Sequence, residues 1–187
     1  MKETLWTIQD KAAFEVFQRT GVLRVDPNHL IFDGEFQDAY DWMTAQMCKR
    51  IGTPPAGVQY PVWAWYQWEG KRKRMDLRSS GYAKRGTPMV QITFEADTKD
   101  FLLSDFDAWH FVLSKHYIAD GEQDWDDFYA NSGDHKIDET VASWDKIFDL
   151  SRYFPDWEPE PNQRTVQATL WEIRMSQVKK VEHFIAK

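Results

Sequence analysis

The sequence predicts an α+β fold in one domain, and three observations predict it. Short β-branched and aromatic segments stand near both ends of the 187-residue chain, at residues 5–9 and 166–173. Between them run segments whose apolar residues recur every three or four positions, the period of a helix with one buried face. Hydrophobic residues make up 42% and charged residues 28%, a balance that lets a chain of this length bury a core.

The elements follow in order. Leu5-Trp6-Thr7-Ile8-Gln9 reads as a strand. Asp10 caps a helix through about Thr20, with Ala13, Phe14, Val16 and Phe17 near its inner stripe, and Gly21 stops it. Val22 to Val25 is a second strand, and Pro27 and Asn28 make a turn. A second helix runs from about Phe36 to Ile51, where Phe36, Ala39, Tyr40, Met43 and Met47 share a face. After Pro54-Pro55, Tyr60 to Trp68 is a strand apolar or aromatic on both faces, so it is central in a sheet or floors a cleft. Residues 69–88 read as a basic loop, and Met89 to Ala96 as a strand. Ser104 to Asp107 resembles a capping box opening a helix through Trp109, Val112, Leu113 and Tyr117. Asp120 to Asp127 is an acidic loop, and Glu139 to Leu150 a helix with Val141, Trp144, Ile147 and Phe148 inside. A Pro-rich turn, Pro155 to Pro161, precedes the last strands, Val166 to Ile173 and Val178 to Phe184.

Composition removes several classes of function. Cys48 is the single cysteine, which excludes an internal disulfide and fits a reducing compartment. No run approaches the ~20 apolar residues of a membrane span, and no signal-like apolar run follows Met1. A cytoplasmic location is therefore expected. The net charge of −7 argues against general coating of nucleic acid. Asp105, Asp107 and His110 lack a third metal ligand at helical spacing, so no metal is expected. Walker, G-x-S-x-G and H-E-x-x-H motifs are absent.

Several words in the chain carry a resemblance: LWTIQ at 5–9, AYDWM at 39–43, YPVWAWYQW at 60–68, SDFDAW at 104–109 and VQATLWEI at 166–173. By these the chain is identified as a member of an uncharacterised bacterial family, domain of unknown function 3841. The order of elements also resembles the ADP-ribosyltransferase fold. That resemblance implies a split mixed or antiparallel sheet with flanking helices, segments 5–9 and 166–173 side by side, and NAD or a related nucleotide in the groove between them. Two departures stand out. Trp6 occupies the position of a cofactor-holding His, and Gln167 that of the catalytic Glu. A glutamine keeps a hydrogen bond to a ribose hydroxyl but brings no charge to the anomeric carbon. Gln167 is thus the candidate catalytic residue, with Trp6, Thr7 and Arg24 gripping the cofactor and Asp105 a further cleft residue.

Two constellations point to ligands by their own chemistry. Trp63, Trp65, Tyr66 and Trp68 offer stacking faces for a flat ring; their other reading is a strand buried on both sides. Lys71, Arg72, Lys73, Arg74, Arg78, Lys84 and Arg85 crowd one loop. They suit a pyrophosphate clamp with Arg72 foremost, a nucleic-acid backbone, or simply a solvated face. Arg24, on a strand, either holds a ligand phosphate or pairs with a structural carboxylate. Three functions follow: an ADP-ribosyltransferase-like domain that binds NAD and transfers or hydrolyses ADP-ribose, a nucleic-acid-binding module using loop 71–85 and strand 60–68, and a non-catalytic adaptor for a protein partner.

Overall fold

The structure, a computed structural model, describes every residue except 27–33, 131–135 and 156–157. The expected turn at Pro27 and Asn28 lies outside the described residues, as does part of the Pro-rich turn. The chain is α+β. Its strands are β1 (Lys2–Asp10), β2 (Val22–Leu23), β3 (Val62–Gln67), β4 (Pro88–Asp97), β5 (Phe101–Asp105), β6 (Val166–Leu170), β7 (Ile173–Arg174) and β8 (Val178–Ile185). Its helices are α1 (Lys11–Thr20), α2 (Gln37–Arg50), α3 (Phe106–Leu113), α4 (Glu122–Ala130) and α5 (Lys136–Ser143), with a 3-10 turn at Trp144–Phe148.

Six strands form one antiparallel sheet in the order β5-β6-β3-β1-β4-β8, and β2 pairs with β7 in a separate ribbon. One face of the large sheet presents Leu5, Ala64, Ile92, Phe94, Ala168 and Leu170 to Phe14 and Phe17 of α1. The other face meets α2, α3 and the 3-10 turn through Met43, Met47, Trp109, Val112, Trp144 and Ile147. Burying the sheet on both sides explains why strand 60–68, Gln67 apart, carries apolar and aromatic residues on both faces. Fully buried side chains such as Phe17, Phe94 and Leu5 each contribute about 1.5–3 kcal/mol relative to exposure.

Local chemistry sets the ends of α1. Asp10 Oδ1 accepts from the Ala13 N–H at 2.6 Å, and Gly21, at φ 78°, returns its N–H to the Phe17 carbonyl. Elsewhere the structure corrects the sequence reading. Phe101 to Asp105 is an edge strand on β6, and Asp105, rather than Ser104 or Asp107, caps α3 by accepting from the Ala108 N–H. That helix ends at Leu113, well before Tyr117. The acidic stretch expected as loop contains α4, a helix with no buried residue. The expected strand 166–173 breaks after Leu170, where Trp171 turns into the helical layer and donates its indole N–H to the Gly52 carbonyl at 2.9 Å. Among the described residues no helix is long and apolar enough to cross a membrane.

Candidate functional site

Strand β1 treats its two neighbours differently. Against β4 it pairs along its whole length, from Lys2↔Asp97 to Asp10↔Met89. Against β3 the register is Trp6↔Trp65, and past that pair the two strands part. Residues 7–10 then form one wall, and residues 60–65 the other, of a groove of about 700 Å³. Ala12, Ala13, Val16 and Phe17 of α1, Tyr40 of α2, Leu23, Arg24 and Tyr82 are also in its lining. The Thr7 hydroxyl spans the gap: it donates to the Trp63 carbonyl at 2.9 Å and accepts from Gln9 Nε2 at 2.9 Å.

The predicted contact between segments 5–9 and 166–173 is corrected by the strand order, because β3 runs between β1 and β6. Opposed residues of an antiparallel ladder share a face. Ser104, Gln167, Trp65, Trp6 and Thr93 therefore form one row across the sheet, and Thr7 projects to the opposite face. Thr7 and Gln167 still line the same groove. Residues from both faces of the sheet line it, next to the single β1–β3 pair.

Polar atoms with unmet hydrogen bonds lie on this face of the sheet. Gln167 is 7% exposed, and its Oε1 is buried without a partner. Trp63 Nε1 and Ser104 Oγ are in the same state. Each such atom costs about 1–3 kcal/mol unless something completes it. By contrast, Tyr60 is saturated: its hydroxyl accepts from Gln59 Nε2 at 2.9 Å and lies 3.2 Å from Asp41 Oδ1. Burial pushes the Tyr40 phenol above its ordinary value, so it stays a neutral wall at physiological pH.

Of the residues singled out by sequence, the structure brings Thr7, Arg24, Trp65 and Gln167 to the groove, together with Trp63. Arg24 takes the structural alternative: Nε and Nη2 bind Glu172 Oε2 at 3.0 and 2.7 Å. Desolvation pushes the Glu172 carboxyl up, but Arg24 and Arg174 outweigh it and hold the group below its ordinary value. Trp65 meets Trp68 and Phe106 edge-on at 4.9 and 5.0 Å. The remaining residues are engaged elsewhere. Trp68 opens a tight turn over Glu69 and Gly70, both at positive φ, closed by mutual hydrogen bonds with Lys71. Asp105 is buried against Arg164 at 3.3 Å while capping α3, so it is a structural residue. Arg72 lies 3.6 Å above the Tyr66 ring and 5.4 Å from Trp6, with its Nη2 on Glu3 Oε2 and the Thr4 carbonyl.

The basic loop is correspondingly less free than its composition suggests. Besides Arg72, Lys73 pairs with Glu69, Arg74 with Glu182 and Arg78 with Asp76. Hydrogen bonds from Arg78 hold Asp76 well below the usual carboxylate range. Fully buried Met75 anchors the middle of the loop. Sequence reasoning missed Tyr40 and Tyr60 as groove walls. Their only local signal was apolar spacing, which marks core as readily as a site.

The family model described as Domain of unknown function (DUF3841) matches residues 4–179, and the chain belongs to that family. No curated protein and no solved structure matches it.

Proposed function

We propose that this DUF3841 chain binds NAD or a related nucleotide in the groove between β1 and β3. The observation that carries the reading is a groove of about 700 Å³ beside the single β1–β3 pair, lined by Thr7, Gln167 and the rings of Tyr40, Trp63 and Trp65. The volume falls within the range of small-molecule sites, which are apolar with a few placed polar groups. Tyr40, Trp63 and Trp65 supply flat aromatic surface. The groove also takes residues from the first strand and from the strand of the last motif, the two segments that the ADP-ribosyltransferase resemblance implies, with the aromatic strand between them. Arg24, also in the lining, stays 40% exposed while its Nε and Nη2 bind Glu172 and its Nη1 donates to the Ala56 carbonyl.

In this reading Gln167 supports binding more than bond cleavage. An amide hydrogen-bonds a ligand but does not offset positive charge developing at an anomeric carbon. Transfer or hydrolysis of ADP-ribose would proceed without that help. The nucleic-acid alternative draws less support, because Arg72, Lys73, Arg74 and Arg78 already face carboxylates. Isothermal titration with NAD is the test. Heat that saturates below millimolar ligand is expected, and no heat at millimolar concentration overturns the reading.

A further inference from the structure

Large apolar side chains stand exposed at two places where the accompanying charge has opposite sign. The first lies on α4 and α5. Ile137 is 76% exposed, and Val141, one turn along the same face of α5, is exposed as well. The Lys136 Nζ lies 5.6 Å from the ring centroid of exposed Tyr129, so the end of α4 and the start of α5 are neighbours. The two helices carry six carboxylates against one cation, Lys136. Glu122, Asp126, Asp138 and Glu139 are exposed and in no ion pair among the described residues.

The second place is the end of β8, where Ile185 is 57% exposed. Gly86 donates its N–H to the Ala186 carbonyl at 2.8 Å, and Ala186 donates to the Thr87 carbonyl at 2.9 Å. Those bonds hold Lys84 and Arg85 next to the strand end that carries Ile185. Both cations are exposed. Unlike Arg72, Lys73, Arg74 and Arg78, neither has a carboxylate partner among the described residues. A lone exposed apolar residue needs no explanation, but these come with unpaired charge, negative at α4–α5 and positive at β8.

We infer that the two places are halves of one contact, and that the partner is a second copy of this chain. The α4–α5 surface of one copy receives the β8 end of the next. Ile185 meets Ile137 and Val141, while Lys84 and Arg85 face Asp126, Asp138 and Glu139. Nucleic acid or an anionic lipid surface is repelled at α4–α5, whereas the chain itself carries the complementary charge. Because two different patches meet, the contact is head-to-tail. A pair leaves one patch of each kind open, and growth continues until a ring closes. The inference goes beyond the nucleotide reading and does not depend on it, since none of these residues lines the groove.

Sedimentation of the whole chain tests it. At an ionic strength of about 0.01 M, where the Debye length is about 30 Å, the weight-average mass is expected to rise with protein concentration. At about 1 M, where that length is about 3 Å, it is expected to fall back toward one chain. Two surface variants separate the halves. Ile137→Lys sets a cation at the centre of the acidic half, and Lys84→Gln with Arg85→Gln removes the charge of the basic half. All three positions are exposed, so neither variant disturbs the core. Each variant alone is expected to stay a monomer at low salt. Mixed in equal amounts, the two are expected to give a species of twice the monomer mass and nothing larger, because one intact half of each sign remains. A parent chain that stays monomeric at low salt and millimolar concentration overturns the inference. So does association that survives in either variant, and so do two monomeric variants that fail to combine.

Discussion

Replacing Thr7 by Val tests whether one hydroxyl ties the two walls of the groove together. The substitution keeps the shape of the side chain and removes only its hydrogen bonds, to the Trp63 carbonyl and from Gln9. Thr7 is 1% exposed, so water does not replace the lost partner. The Trp63 carbonyl is then left unmet beyond the point where the β1–β3 ladder ends. One broken bond with a buried orphan costs about 1–3 kcal/mol. For a chain of this size that is a fall in Tm of roughly 2–12 °C. Thr7→Ser keeps the hydroxyl and loses one methyl, about 0.8 kcal/mol. Urea unfolding gives the stabilities, and amide hydrogen exchange shows where they are lost. In Thr7→Val, protection is expected to fall first at residues 62–64; in Thr7→Ser it is retained there. A Thr7→Val protein as stable as the parent, with unchanged exchange at 62–64, would refute the idea that this bond bridges the gap.

Substitutions at three other residues probe the surroundings. Gly70 sits at φ 73°, and a Cβ there would lie 1.9 Å from the Asn162 carbonyl oxygen; Gly70→Ala is expected to lose about 1–3 kcal/mol, read as a lowered melting temperature. Glu172, held ionised by Arg24 and Arg174, has a folded pKa below its unfolded one. Its contribution is therefore complete above the ordinary carboxylate range and lost as pH falls through the folded value. Glu172→Gln should be less stable than the parent near neutrality, with the gap in urea midpoint closing on acidification. Arg72→Ala loses the Tyr66 stack, the Glu3 pair and the bond to the Thr4 carbonyl, about 1–2 kcal/mol in urea unfolding. Arg72→Lys should recover little of it, since an ammonium cannot stack as a planar guanidinium does.

What the sequence made legible was local. Asp10 and Gly21 bracket α1 because caps are decided within four residues, and the pattern Phe14–Phe17 needs only one helix turn. Strand 60–68 was readable as central because both its faces are apolar. Helix α4 was missed for the converse reason: Glu122–Ala130 buries nothing, so it carries no stripe to detect. The break at Trp171 depends on Gly52, more than a hundred positions away, and nothing near Leu170 announces it. The basic loop was misread in the same way. Its carboxylate partners Glu3 and Glu182 lie at opposite ends of the chain. As for the site, Gln167 and the aromatic strand stood out by residue type. That they share a groove with Thr7 follows from β1 and β3 diverging past Trp6↔Trp65, a property of two segments some sixty residues apart and not of either one.

The strand order has a bearing on how the protein comes to exist at all. One of the two central strands, β1, is synthesised before the other strands, yet the strand it matches along its length is β4; the Met1 amino group meets Asp97, 96 positions later. Joining such distant pieces means closing a large loop before any contact compensates for it, so refolding is expected in the millisecond-to-second range rather than in microseconds. During synthesis Leu5, Trp6 and Ile8 wait without their mate, an apolar strand open to other chains. A nascent fragment that stops short of β4 should therefore be a ready client for a chaperone, whereas one that has cleared Asp97 should not.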